Sequence, residues 1–196
     1  ELNDRLNVVG NRNSNAVWQI HIDYLVKQKI RLSFNYLYDE FVLDTDVQSG
    51  KENGKAFSFR AAYTPSLSSK SIMIIDGSLV YVGTPTFRHG LGTNNFVQNG
   101  RPLGWIGGSD GIGYYIGANY FNYSNLIVGI SVGLLQIGEE SIVEGIFKPY
   151  KDYIRGPFPS GQIDKFYYTE AEVSYLFGKK YSLTISFRSL KNDGSL

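Results

Sequence analysis

Hydrophobic and polar residues alternate along most of this chain. Trp18, Ile20 and Ile22, for example, alternate with Gln19 and His21. Because successive side chains of a strand point to opposite faces of a sheet, this period of two predicts strands with one apolar and one polar face. No stretch carries a capped stripe with the 3.6-residue period of a helix. The pattern predicts an all-β chain with strands at about residues 4–10, 16–26, 30–39, 55–64, 71–82, 112–122, 126–137, 165–176 and 180–190.

The connections between these strands alternate in length. Short turns and long loops that alternate in this way are typical of an antiparallel, up-and-down outer-membrane β-barrel, which has short periplasmic turns and long extracellular loops. Strands of about ten residues also match the length that a tilted strand needs to cross hydrocarbon. The predicted short turns are at 27–29, 66–70, 123–125 and 178–180, and the predicted outward loops are at about 40–54, 83–111 and 138–164.

Aromatic residues of the apolar face are concentrated near strand ends, with aliphatic residues between them. Trp18 and Tyr36 lie near the long-loop ends of their strands, Tyr63 and Tyr181 near short turns. Such girdles are expected where strands cross lipid headgroups. The alternative is a soluble β-sandwich or lipocalin-like barrel whose apolar face forms the core. A soluble sandwich or barrel does not explain why the aromatic residues are concentrated at the strand ends.

Composition excludes several classes of protein. The chain has 196 residues, of which 42% are hydrophobic and 19% charged, so we expect one folded domain over 1–196 rather than a disordered chain. A net charge of +1 gives no electrostatic case for a nucleic-acid partner. The absence of cysteine excludes disulfides and thiolate metal sites. The longest apolar run, Leu126–Leu135, is too short for a transmembrane helix.

The number of predicted strands is odd, although single-chain bacterial barrels have an even number. If the short turns are periplasmic, the last predicted strand runs outward and no strand returns. We therefore expect this sequence to be part of a larger barrel.

Charged residues of both signs occur on the predicted polar face, which would line the barrel lumen. Their structural role would be cross-strand ion pairing, and their functional role would be to line a path for a solute. The candidate lumen residues are Arg31, Arg60, Asp76, Glu170, Glu172 and Arg188.

The loop at 83–111 is the best candidate for a binding surface. Its amides and guanidinium groups provide directional hydrogen bonds to hydroxyl and carboxylate groups, and its aromatic faces suit the apolar faces of sugars. We expect Arg88 and Arg101 to clamp acidic groups of a polymer beside the Trp105 indole. The alternative is a loop folded inward that constricts the barrel. The candidate ligand-binding residues are Arg88, His89, Asn99, Arg101, Trp105 and Asp110.

Catalytic and cofactor motifs are missing from the sequence. It contains no HExxH, GxSxG or P-loop pattern, and the glycines of 104–113 are followed by neither Lys-Ser/Thr nor a helix. Glu139 and Glu140 are adjacent in a loop, where such residues are usually solvated charges. We therefore expect no enzyme activity, no cofactor and no metal site.

Two segments resemble a known family. Phe34–Asp44 (FNYLYDEFVLD) and Asn99–Gly111 (NGRPLGWIGGSDG) are similar to the later part of the Wzi-type capsule-assembly outer-membrane barrels, in which an acidic strand end precedes a glycine-rich loop. The resemblance covers about residues 30–115. It implies a large β-barrel that anchors or organises capsular polysaccharide without catalysis. The matching positions are Asn99, Gly100, Leu103, Gly104, Gly108 and Asp110.

Together these observations predict a non-enzymatic protein of the bacterial outer membrane that binds or organises surface polysaccharide. Its expected partners are membrane lipid, an acidic polysaccharide and other envelope proteins. The alternatives are a diffusion channel of the porin type and a structural subunit whose loops dock a partner in an envelope complex.

Overall fold

A computed structural model of the chain describes residues 16–40, 52–88, 96–140, 142–143, 156–178 and 180–193. These residues form an all-β structure in which eight long strands make one antiparallel sheet. Each strand pairs with the next long strand of the sequence. The long strands are β1 (Ala16–Val26), β2 (Ile30–Glu40), β3 (Gly54–Tyr63), β4 (Ser71–Val82), β7 (Gly111–Asn122), β8 (Leu126–Ile137), β9 (Asp164–Phe177) and β10 (Tyr181–Asn192). Two short strands, β5 (Val97–Gln98) and β6 (Arg101–Pro102), form a separate hairpin.

The prediction of an all-β antiparallel meander is confirmed. The eight long strands begin and end within two residues of the predicted bounds. The ninth predicted strand, at 4–10, lies outside the described residues. Within the described part of the chain the sheet is open, with β1 and β10 at its two edges. The prediction of a larger, closed barrel therefore stays a prediction.

The register of the strands joins the alternating positions into two continuous faces. Ile22 pairs with Phe34, Phe34 with Phe59, and Phe59 with Leu79 across four neighbouring strands. We call the side that carries these residues the apolar face. The opposite side, the polar face, carries among others Asn35, which is paired with His21 on β1 and with Ser58 on β3.

Along the middle of the strands the apolar face is not covered by other parts of the described chain, whereas at its long-loop end Phe158 packs against Tyr81 with ring centroids 4.3 Å apart. Ile20 is 60% exposed and Ile185 is 66% exposed, and β7, β8 and β9 also carry large apolar residues that are more than half exposed. Exposure is smaller on β2, β3 and β4, where Ile30, Phe59 and Ile75 are about 40% exposed. The buried apolar residues of the described chain are Ala56, Val82 and Ile142. Among the described residues, neither face of the sheet therefore carries a conventional hydrophobic core.

The described residues contain no helix with the length and hydrophobicity that crossing a bilayer would require.

Candidate functional site

Asp110 joins three long-loop segments at one end of the sheet. Its carboxylate is fully buried, and its backbone adopts a left-handed φ of 60° immediately before β7. Oδ1 accepts hydrogen bonds from the Thr84 hydroxyl at 2.7 Å and from the Ser160 backbone N–H at 3.0 Å. Oδ2 accepts from the Glu140 N–H at 3.2 Å and from the Ser160 hydroxyl. One side chain thus fixes the ends of two predicted loops, 83–111 and 138–164, against each other.

Arg88 belongs to the same buried cluster. Its side chain is 3% exposed, and Nη1 lies 2.8 Å from Oε2 of Glu140 in a salt bridge. Nη2 donates to the Glu140 carbonyl, and Nε donates to Ser109 Oγ at 3.3 Å. A ligand carboxylate could reach this guanidinium only by displacing Glu140. Glu140 itself was expected to be a solvated charge, whereas the structure places its carboxylate in this pair. We call Thr84, Arg88, Ser109, Asp110, Glu140 and Ser160 the Asp110 network.

A second buried carboxylate ties the 83–111 loop to β2. Asp39, fully buried near the end of β2, accepts a hydrogen bond from the Phe87 N–H at 2.7 Å. Next to it, the buried Thr86 hydroxyl donates to the Lys55 carbonyl at 2.9 Å. Sequence reasoning did not select Asp39, although an acidic residue at a polar-face position of a strand end was a usable signal.

Asn99 and Arg101 lie on the exposed β5–β6 hairpin. Asn99 and Gly100 form its two-residue turn with φ of 50° and 72°, the left-handed pair that a type I′ turn requires. Arg101 therefore presents its guanidinium group from a short, defined hairpin. The two arginines predicted to act as a clamp have different surroundings: Arg88 is buried and ion-paired, and Arg101 is exposed.

The Trp105 indole is folded onto the polar face of the sheet. A Cβ atom added at Gly111 or at Gly113 would lie 3.0 Å from its ring, and one added at Gly107 would lie 2.5 Å from it. The glycines of this segment therefore serve as the surface on which the indole rests. This arrangement agrees with a loop that folds inward, the alternative interpretation of the 83–111 segment.

Five of the six predicted lumen charges are paired with charges on the same face. Arg60 Nη2 lies 2.7 Å from Asp76 Oδ2, and Arg188 Nε lies 2.7 Å from Glu170 Oε1. Arg31 pairs with Asp23 at 2.8 Å. Glu172 accepts a hydrogen bond from Ser174 at 3.4 Å. This cross-strand pairing is the structural role considered for these residues, and it leaves the role in a solute path as a prediction.

The six candidate ligand-binding residues are therefore not one cluster. Arg88 and Asp110 lie in the buried network, Asn99 and Arg101 lie on the hairpin, and Trp105 lies on the polar face. His89 lies outside the described residues. Within the described ranges, His, Asp and Glu side chains form no group of three that could hold a metal ion.

No family model, curated protein or solved structure matches the chain. The resemblance to the Wzi-type barrels accordingly stays a prediction.

Proposed function

We propose that this chain forms part of the wall of an outer-membrane β-barrel that binds or organises surface polysaccharide without catalysing a reaction. The observation that carries the membrane part is the exposure of the apolar face, with Ile130 at 55% and Ile185 at 66%. Monomeric soluble proteins rarely expose contiguous apolar surface on this scale. Hydrocarbon in contact with this face would remove it from water, and the apolar band with aromatic residues at its ends fits that environment.

The polysaccharide part is supported by the construction of the long-loop end. The Asp110 network and Asp39 hold the described loop segments in place, so the exposed hairpin and Trp105 are presented from a fixed base. Preorganised loops lose less conformational entropy when they bind a ligand. Arg101 and Asn99 offer hydrogen-bond donors from this base, and Arg101 offers a positive charge for acidic groups.

The test is the retention of an acidic, uronate-containing capsular polysaccharide by vesicles that carry the protein. We expect more polymer to sediment with these vesicles than with lipid-only vesicles. Arg101→Ala should weaken retention by up to about fivefold, since one exposed charge contact contributes about 1 kcal/mol or less. Lys191→Ala, which removes an exposed cation from the end of β10, is the matched control. Equal sedimentation with protein-containing and lipid-only vesicles would contradict the polysaccharide function.

A diffusion channel is the second candidate, and the exposure of the polar-face arginines favours it. The side chains of Arg31, Arg60 and Arg188 are 66%, 64% and 75% exposed. In an eight-stranded barrel the interior is filled by side chains, so this exposure fits a wider, hydrated lumen. An ion-selective conductance in planar bilayers that Arg60→Glu alters would support the channel. A protein that inserts and conducts no ions would exclude it.

A further inference from the structure

A small cavity lies between the Trp105 segment and the polar face of the sheet. Its volume is about 110 Å³. Ile106 also lines it and is 83% exposed, so the cavity reaches the surface of the described structure beside this residue. The side chains that define its chemistry are Ser78, Val80, Trp105, Tyr115, Leu135 and Tyr168.

Glycines hold the three aromatic rings of the cavity close to the sheet. Trp105 rests on Gly111 and Gly113, as described above. A Cβ atom added at Gly133 would collide with the Tyr168 ring, and one added at Gly117 would collide with the Tyr115 ring. The three rings thus lie directly on the backbone at glycine positions, where any larger residue would clash with them. The walls of the cavity are therefore formed before any ligand arrives.

The lining combines aromatic faces with hydroxyl groups and carries no charge among the described residues. Trp105, Tyr115 and Tyr168 offer apolar ring surface, and Ser78 and both tyrosines offer hydroxyls that can donate and accept. No hydrogen bond joins these three hydroxyls to another described residue. Apolar walls with a few convergent polar groups are typical of small-molecule sites.

We propose that this cavity binds one uncharged sugar ring, with its apolar face against Trp105 and its hydroxyls bonded to Ser78, Tyr115 and Tyr168. The inference rests on the proposed function and specifies it: the polymer would carry a neutral hexose that enters the cavity. Uronates would be disfavoured there, because no cation lines the cavity and Arg60, which lies opposite Ser78 on β3, is already paired with Asp76.

The chain supplies its own reporter for a binding experiment. It contains two tryptophans, and Trp18 lies on the apolar face, so Trp18→Phe leaves Trp105 as the single indole. We expect the Trp105 fluorescence of this variant in vesicles to change saturably with methyl glucoside, methyl galactoside or methyl mannoside. Glucuronate should give no saturable change. Trp105→Phe, which retains Trp18, should give no response to any of these sugars.

Hydroxyl deletions test the polar part of the site without removing the rings. Tyr168→Phe and Ser78→Ala should each weaken hexoside binding roughly three- to tenfold, the effect of losing one hydrogen bond. Tyr167→Phe, one residue away on the apolar face, should bind like the parent. Far-ultraviolet circular dichroism and heat-modifiable gel migration verify that each variant retains the sheet.

The outcomes separate this inference from the proposed function. Polymer retention without a response to any neutral hexoside overturns the cavity site and leaves the polysaccharide function standing. A response to glucuronate equal to that of the hexosides overturns the neutral-ring assignment. If the Tyr168→Phe and Tyr167→Phe variants bind the hexosides equally well, the Tyr168 hydroxyl does not contact the sugar and the cavity site is overturned. Absence of both polymer retention and hexoside binding overturns both proposals.

Discussion

The apolar face of the sheet and its long-loop end distribute residues in opposite ways. On the face, large apolar side chains such as Ile22 and Ile130 are more than half exposed. At the long-loop end, Asp39, Arg88 and Asp110 are almost fully buried. In a protein folded in water the apolar side chains would be buried and the charged ones exposed, because burial of apolar groups is favourable and burial of charge is costly.

The two regions are stabilised by different interactions. The strands are joined by backbone pairing and offer their apolar side chains to an outside medium. The long-loop end is joined by hydrogen bonds that satisfy every buried carboxylate oxygen of Asp110. Removal of a hydrogen-bond acceptor should therefore be most costly at the long-loop end, and addition of a charge should be most costly on the apolar face.

The largest effect is expected from Asp110→Ala. The substitution removes the acceptor for the Thr84 hydroxyl, for the N–H and hydroxyl of Ser160 and for the Glu140 N–H. These donors are partly buried, and the Glu140 N–H keeps Ser160 Oγ at 3.3 Å as a second acceptor. Each orphaned donor costs about 1–3 kcal/mol, so we expect a loss of about 3–5 kcal/mol in the free energy of unfolding. Urea titration in lipid vesicles measures this loss. Asp164→Ala, at the exposed start of β9, should change stability by about 0.5 kcal/mol or less. Similar effects at the two positions would show that the network does not hold the loops.

A charge on the apolar face should come next. Ile130→Arg or Ile185→Arg should cost about 2–4 kcal/mol, the cost of arginine on the lipid face near the bilayer midplane. Ser131→Arg and Ser186→Arg, which are neighbours on the polar face, should be milder because their side chains face water. The same titrations in vesicles provide the comparison. Equal tolerance at both pairs would mean that the two faces are wrongly assigned.

A smaller effect is expected where an aromatic ring covers a glycine on the polar face. Gly133→Ala should cost about 1–3 kcal/mol, because the new methyl group collides with the Tyr168 ring. The cost should shrink in a Tyr168→Ala background, where the ring is absent. This double-mutant cycle isolates the contact. Additive effects of the two substitutions would contradict the packing of Tyr168 on Gly133.

The smallest effect is expected at an exposed ion pair. The side chains of Arg188 and Glu170 are 75% and 41% exposed, so Arg188→Gln should cost about 1 kcal/mol or less, and less in high salt. Asp76→Asn should cost more, since the Asp76 side chain is 3% exposed where it pairs with Arg60. Unfolding titrations at low and high salt compare the two variants. The reverse order would contradict the burial of Asp76.

The strands were predictable from the sequence because their signal is local. The alternation within each run shows which residues lie on the apolar face. The bounds of β1, β4 and β8 were predicted to the residue. The β5–β6 hairpin was missed, although Asn99-Gly100 is a recognised signal for a two-residue turn. Its flanking strands have two residues each, too few to show alternation.

The buried network could not be predicted in the same way. The donors to Asp110 come from residues 26 to 50 positions away. The sequence around an aspartate does not show which distant hydroxyl or N–H group will donate to it. Arg88 illustrates the consequence: its residue type suited a ligand clamp, and only the fold shows that Glu140 occupies it. Trp105 was selected as a candidate ligand-binding residue, and this stays a prediction. The glycines that support its ring were interpreted as turn residues.

The most direct test of the central claim, that the apolar face contacts lipid, is a scan of single cysteines along β8. The natural chain contains no cysteine, so each variant carries one labelled site. A fluorophore placed at positions 128, 130 and 132 in vesicles should be quenched by lipid-attached quenchers. Labels at 129, 131 and 133 should be quenched by water-soluble ones. We expect this alternation with a period of two if lipid covers the apolar face. Quenching by the aqueous reagent at all six positions, in a protein that is monodisperse without detergent, would contradict it.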